Sequence, residues 1–379
     1  MNCVLWSMGD AFLHGMGTSS GARQCGVTHV PGLKCYLGVR TVPSGRLTPA
    51  CSFRRSAPQL IRTVRRSDRY QRKETIMTRL TSFWLTVVIA VSGGLTLQAR
   101  AEAPPPTRQL SVNGVELSYI EQGTGTPVVF VHGAFSDVRF WEPQRQAVAK
   151  HYRFVAYNYR YHGAAPWPDD GKQYSAATHA ADLAAFIRRL NAGPVHLVGL
   201  SYGGLLATMV ASEHPELVRS LTLAEPAIGV LLMETPEAKP ALDDRGKAMA
   251  SIVAAVKAGD AVQATKLFFD WVNNQGAGAF DKQPEALRQM MLDNAKTVPL
   301  LLAAPSPPAI SCATLGGVKT PTLVIGGEQT SRYFSLINEV VVRCLPSSRL
   351  AIIPKATHPM SYQNPGGFNE ALLQFLAQR

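Results

Sequence analysis

Gly199-Leu200-Ser201-Tyr202-Gly203-Gly204 stands between the apolar run Pro194-Val195-His196-Leu197-Val198 and the segment Leu205-Leu206-Ala207-Thr208-Met209-Val210-Ala211. The run reads as a buried strand and the segment as a helix, so a serine lies at the apex of a tight strand-to-helix turn. Strand and helix approach each other there only if the residues two before and two after the serine are small, and Gly199 and Gly203 meet that demand. The helix start at Tyr202 also directs unpaired N–H groups and a positive dipole end toward the hydroxyl, which favours an oxyanion. A Gly-x-Ser-x-Gly pattern alone is weak; the strand and helix flanks give it its weight.

Outward from this turn the chain alternates short apolar runs with amphipathic helices. Leu110 to Asn113 and Val115 to Glu121 are alternating strands joined at Asn113-Gly114, a hairpin signal. Val128-Val129-Phe130-Val131 is apolar on both faces and reads as a fully buried strand, with the loop His132-Gly133-Ala134-Phe135 beyond it. A helix from about Trp141 to Lys150, a strand Phe154 to Tyr157 and a helix from Ala176 to Leu190 under a Ser175 cap follow. Strand Ser220 to Ala224 comes after the serine helix. From Pro226 to Pro308 the rhythm breaks into helices and Pro-rich joints without a strand signal. It resumes with strand Thr322 to Ile325, a helix near Tyr333 to Val342, strand Leu350 to Ile353 and a last helix Phe368 to Ala377. This pattern predicts an α/β fold: a mostly parallel, doubly wound sheet over 108–225 and 309–379, with helices 226–308 inserted between two of its strands as a lid over their carboxyl ends.

The 379 residues carry a formal charge of +12, which raises the question of a nucleic-acid partner. Residues 1–76 hold 12 Lys and Arg against Asp10, Asp68 and Glu74, and residues 77–101 add Arg79 and Arg100 without an acid. The basicity therefore belongs to the N-terminal end, the rest being near neutral, and no nucleic-acid footprint is expected on the folded part. From Met77 a short basic start, an apolar stretch Leu80 to Leu97 and the small-x-small ending Ala99-Arg100-Ala101 describe a secretory signal cleaved after Ala101, followed by a stiff Pro-rich linker over 102–107. An uncleaved anchor is the alternative, but Thr86, Ser92, Gly93, Gly94 and Thr96 dilute a stretch barely long enough to span a bilayer. Residues 1–76 show no sustained hydrophobic period, so Met77 is expected to be the true start and the upstream part a misassigned or disordered leader. The expected localisation is periplasmic or secreted, without stable membrane association once the signal is removed.

Cys3, Cys25, Cys35 and Cys51 fall in the leader, which leaves Cys312 and Cys344. An oxidising compartment permits one disulfide between them, with two free buried thiols as the alternative. No metal-ligand spacing is present and no cofactor is expected.

Together His132-Gly133, the Gly199 to Gly203 elbow, the helical insertion and His358 before the final helix resemble the α/β-hydrolase fold superfamily over roughly residues 108–379, in particular its lid-bearing bacterial serine esterases. A serine needs a base, because a free hydroxyl barely ionises at neutral pH. The resemblance implies His358, on the loop after the last strand, as that base. Related enzymes usually supply the orienting acid as Asp in Gly-x-x-Asp after the strand equivalent to Thr322–Ile325, but here Gly327-Glu328-Gln329-Thr330 puts a neutral Thr330 in that slot. Other members supply it from the strand end before the lid, where Glu225 stands; Glu328 and no acid at all remain the alternatives. The oxyanion hole is implied to be the backbone N–H groups of Tyr202 and Ala134, with Phe135 as substitute for the latter. His132 and His196 are read as packing or loop-shaping residues, His162 and His179 as local hydrogen-bonders, His151 and His214 as helix-end residues.

These readings predict a secreted hydrolase of a small, largely apolar carboxylic ester, acting through an acyl-enzyme. Serine rather than Asp at the elbow argues against alkyl-enzyme chemistry. Lactone, thioester or carbon–carbon hydrolysis and perhydrolysis could use the same groups, and a binding protein without turnover could keep the same fold.

Overall fold

The computed structural model describes residues 105–379. The readings placed on the leader 1–76, the signal 77–101 and the start of the linker lie outside the described residues. Eight strands form one sheet: β1 (Arg108–Val112), β2 (Val115–Gln122), β3 (Pro127–Val131), β4 (Arg153–Tyr157), β5 (Val195–Leu200), β6 (Val218–Ala224), β7 (Thr322–Gly327) and β8 (Ser348–Ile353). Their order is β1-β2-β4-β3-β5-β6-β7-β8, with β2 antiparallel to both neighbours and all other pairings beyond it parallel. The hairpin turns where expected: Val112 faces Val115, and Asn113 and Gly114 both adopt positive φ, 46° and 78°, as a two-residue turn between twisted strands requires.

Alternate residues of the central strands feed two apolar layers, because successive side chains point to opposite faces. Val129, Val131, Val155, Tyr157 and Leu197 join one core with α2 (Ala176–Leu190), α3 (Tyr202–Glu213) and α9 (Arg332–Cys344). Val128, Phe130, Phe154, Ala156 and Val198 join the other with Trp141, with Val148 of α1 (Glu142–Ala149) and with Phe368 and Phe375 of α10 (Pro365–Leu376). Ser175 caps α2 by accepting from Thr178 N at 3.0 Å, as its sequence position predicts, and Asn191 closes the helix in the left-handed region. At the far edge of the sheet β8 is partly exposed: Leu350 and Ile352, two residues apart and so on one face, are 42% and 54% exposed.

Between β6 and β7 the described residues form helices only. These are α4 (Lys239–Lys257), α5 (Ala261–Asn273), α6 (Glu285–Asp293), α7 (Val298–Ala303) and α8 (Cys312–Gly317), with short 3-10 turns between them. Asp260 starts α5 by accepting from Gln263 N at 2.7 Å. Hydrogen bonds tie this segment to the core at two places. Buried Asn273 accepts from Thr357 Oγ1 at 2.7 Å and from Gln363 Nε2 at 3.0 Å, and buried Asn294 donates to Asp137 Oδ2 at 2.8 Å and accepts from Gly163 N at 2.7 Å. Cys312 at the head of α8 and Cys344 at the end of α9 form a disulfide, which decides between the two readings of that pair.

Candidate active site

The turn at Ser201 joins β5 to α3, and its shape follows from close packing. A Cβ on Gly199 would run into the carbonyl of Gly203, and one on Gly203 into the carbonyl oxygens of Val131 and His132, so neither position has room for a side chain. Ser201 is held at φ 54°, ψ −117°, a backbone state that costs about 1–3 kcal/mol and persists only when neighbours enforce it. Its N–H donates to Ala224 O at 2.9 Å, and its own carbonyl accepts from Ala227 N at 2.9 Å and Leu205 N at 3.0 Å.

Parallel strands that end at one edge of the sheet deliver the other groups to the same place. Glu225 follows β6 directly, at φ 44° and fully buried. His358 lies on the loop after β8, its ring stacked on Phe334 of α9 with centroids 3.9 Å apart. Glu225 Oε2 is 2.6 Å from His358 Nδ1 and accepts from Thr330 Oγ1 at 2.9 Å, while Oε1 accepts from Gly327 N at 2.8 Å. Thr330, the residue in the usual acid slot, thus stands as a donor to the carboxylate that reaches the histidine. The sequence showed that the slot is neutral but carried no signal that its hydroxyl would turn to Glu225, nor that Phe334 would back the imidazole. A carboxylate so placed holds Nδ1–H and leaves Nε2 as the basic nitrogen.

Glu328 is elsewhere: it is exposed, and its Oε2 accepts from Lys355 N at 2.8 Å, closing a turn. The remaining histidines divide as their surroundings dictate. His196 Nδ1 meets Ser220 Oγ at 2.7 Å, His162 Nδ1 meets Arg160 O at 2.9 Å, and His179 Nδ1 meets the Tyr202 hydroxyl at 3.1 Å. Burial lowers the pKa of His132 and His196 to about 4 and of His179 to about 3, and pushes His162 well down, so all four are neutral at pH 7. His151 and His214 sit just beyond α1 and α3.

Ser201 and His358 line one cleft, which encloses about 440 Å3 of empty space counted with its open mouth. Gly133, Ala134 and Leu200 border the serine; Phe268, Phe269, Val272, Leu287, Met290 and Met291, all from the inserted helices, form the opposite wall. Apart from Ser201 and His358, the hydroxyl of Ser136 is the polar side chain on this lining, and it faces the Met290 sulfur at 3.8 Å. No Lys, Arg, Asp or Glu contributes to it. Ala134 therefore shares the cleft with Ser201, and Tyr202 begins the helix whose first N–H groups lack intrahelical partners, while its side chain turns away toward His179. Phe135, at φ 55°, packs edge-on against Phe268. Among the described residues no cluster of His, Cys, Asp and Glu is arranged to hold a metal ion.

Comparison with known proteins follows the same lines. Residues 126–365 match the family model described as alpha/beta hydrolase fold. The chain is 24% identical over 273 residues to a 2-(acetamidomethylene)succinate hydrolase of Mesorhizobium japonicum, covering 71% of this chain and 95% of that protein. It is 26% identical over 316 residues to a 2-hydroxy-6-oxo-6-(2'-aminophenyl)hexa-2,4-dienoic acid hydrolase of Metapseudomonas resinovorans, covering 75% and 95%. Its fold is similar to that of a solved carboxylesterase of Bacillus subtilis, with a TM-score of 0.60 at 17% identity over 79% of this chain and 98% of that one.

Proposed function

We propose, from the premise that this chain belongs to the alpha/beta hydrolase fold family, that it is an exported serine hydrolase cleaving a carboxylic ester of a small, largely apolar substrate through an acyl-enzyme. The observation that carries this reading is a serine on a strained strand-to-helix turn sharing its cleft with a histidine whose other nitrogen lies 2.6 Å from a buried carboxylate. In this reading His358 takes the Ser201 proton as the hydroxyl attacks the ester carbonyl, returns it to the leaving alcohol, and then activates the water that releases the acid. Glu225 fixes the tautomer and stabilises the imidazolium that forms in each half-reaction. The N–H groups of Ala134 and Tyr202 receive the tetrahedral oxyanion, each contributing roughly 3 kcal/mol to the transition state. The inserted helices serve as the lid, and their Phe, Leu and Met side chains exclude water around the acyl or alcohol part.

The lining also discriminates among relatives. Those from Mesorhizobium and Metapseudomonas are named for substrates that are carboxylic acids. A carboxylate in a cleft without a cationic side chain would lose its hydration without an ion partner, so a neutral substrate fits this lining better. Carbon–carbon hydrolysis of an acidic dienoate is the second reading, favoured by the sequence likeness to the Metapseudomonas enzyme. Export is supported by the Met77 to Ala101 pattern and by the Cys312–Cys344 disulfide, a bond that persists in oxidising compartments.

A fluorophosphonate probe tests the nucleophile. Covalent label is expected on the Ser201 peptide of the native protein and absent from Ser201→Ala, which also loses turnover of p-nitrophenyl esters. A native protein that stays unlabelled overturns the proposal. An ester series of graded acyl length, run beside a dienoate substrate, separates the two readings: turnover rising with neutral acyl chains supports the ester, and turnover of the acidic dienoate alone supports the second.

A further inference from the structure

Behind the cleft, the peptide unit joining Gly133 to Ala134 is gripped from its carbonyl side. Its oxygen, Gly133 O, accepts the phenolic O–H of Tyr159 at 2.8 Å and lies 2.9 Å from His132 Nδ1. A carbonyl only accepts, so the neutral His132 must carry its proton on Nδ1 and donate as well. The other end of this same peptide unit is the N–H of Ala134, a residue that lines the cleft with Ser201. Because a peptide is planar, two donors on the oxygen set the direction in which that N–H points. They also draw electron density toward the oxygen, which makes the N–H a stronger donor.

We propose that Tyr159 is a positioning residue for the oxyanion hole: its hydroxyl, together with His132, holds and polarises the Gly133–Ala134 peptide so that the Ala134 N–H faces the developing oxyanion. This rests on the acyl-enzyme reading above. Tyr159 comes from the loop just past β4, two residues beyond its last strand residue, and is fully buried with its ring stacked on His132 at 4.1 Å. It packs further against His162 and His179, with centroids 4.1 and 4.9 Å away. The phenol keeps its proton throughout the ordinary pH range, since burial raises its pKa well above the usual value. Tyr159 is not on the cleft lining and acts through a peptide whose two residues, Gly133 and Ala134, are. That separates it from a packing aromatic, for which the hydroxyl would be dispensable.

The test is Tyr159→Phe, which removes one oxygen, retains the ring and leaves Gly133 O its bond from His132. Removing an oxyanion donor outright costs 10²–10³ in kcat, so weakening one is expected to lower kcat about 10-fold. KM should change little, and the carbonyl stretch of a trapped acyl-enzyme should move to higher frequency in difference infrared spectra, because the oxyanion-hole bond to that carbonyl is longer. His132→Leu removes the other donor; it is expected to shift the stretch in the same direction and is measured alongside, so that the result does not hang on one variant's folding. A native enzyme that labels and turns over while both folded variants keep the native stretch and kcat overturns the role of Tyr159 alone. A native protein that is never acylated overturns the hydrolase reading and this one with it.

Discussion

Glu225, and not the residue of the Thr330 slot, is the carboxylate that meets His358, and its surroundings satisfy it. The carboxylate is fully buried, yet both oxygens are satisfied: Oε1 by the Gly327 amide, Oε2 by Thr330 and His358. A buried carboxylate needs such partners, since an unpaired one would lose its hydration without return. Glu225→Gln keeps the shape but presents a neutral amide to the imidazole, and kcat is expected to fall by up to ~10⁴, as for the loss of a triad acid generally. Thr330 meets the same carboxylate oxygen as His358, so a carboxylate at that position is expected to come within reach of the imidazole. The pair Glu225→Gln with Thr330→Asp is expected to recover a measurable part of the lost kcat in p-nitrophenyl ester assays; Thr330→Asp alone, which crowds two carboxylates, is expected to lower it. An undiminished rate in Glu225→Gln would remove Glu225 from the mechanism.

At the scale of elements, the helical segment between β6 and β7 is fastened rather than hung. Its α5 end holds Gln363 and Thr357, the residue before His358, through Asn273, and its α6 end holds Asp137 and Gly163 through Asn294. The segment that walls the cleft therefore also braces the loop that carries the histidine. Where the insertion rejoins the core, the Cys312–Cys344 disulfide closes a loop of 32 residues in sequence around β7 and α9. Loop-closure entropy for that length stabilises the fold by about 3–4 kcal/mol. Replacing both cysteines with serine is expected to lower the melting temperature by about 10 °C, with little change in the labelling of Ser201 below the transition. An unchanged melting temperature would mean that the bond does not form in the protein.

For the whole molecule, the buried histidines tie stability to pH. His132, His162, His179 and His196 are neutral when folded, with pKa values pushed below the usual 6.5 by burial. Their depressed folded values mean that above about pH 6.5 neither state gains a proton and stability is fully present. As pH falls below 6.5 the unfolded chain takes up protons that the folded one refuses, and stability is lost toward pH 4. The slope approaches about 1.4 kcal/mol per pH unit for each histidine. Urea unfolding between pH 7.5 and 4.5 should show midpoints falling across this range; midpoints that are flat from 6.5 down would contradict the assignment of neutral buried imidazoles.

The fold class was legible in the sequence because it rests on local periodicity. Apolar runs such as Val128 to Val131, two-glycine flanks around Ser201 and the Asn113-Gly114 turn each state their conformation within a few residues, and the sheet follows from their alternation. Strand limits were less legible: β6 and β8 begin two residues before the starts expected from sequence, at Val218 and Ser348, because pairing with a neighbouring strand, and not local pattern alone, sets where a strand begins. Ser201 and His358 stood out as candidates by type and place, and the structure sets both on one cleft. What no local pattern could decide was which carboxylate meets the imidazole: the family resemblance favoured Glu225 and left Glu328 as an alternative, and only the convergence of β6, β7 and β8 at one sheet edge buries the first and leaves the second in water. The sequence by itself thus determined the architecture and the residue types proposed to react. The tertiary structure decided the partners of Glu225, the bond between Cys312 and Cys344 and the grip of Tyr159 on Gly133, because each joins groups far apart along the chain.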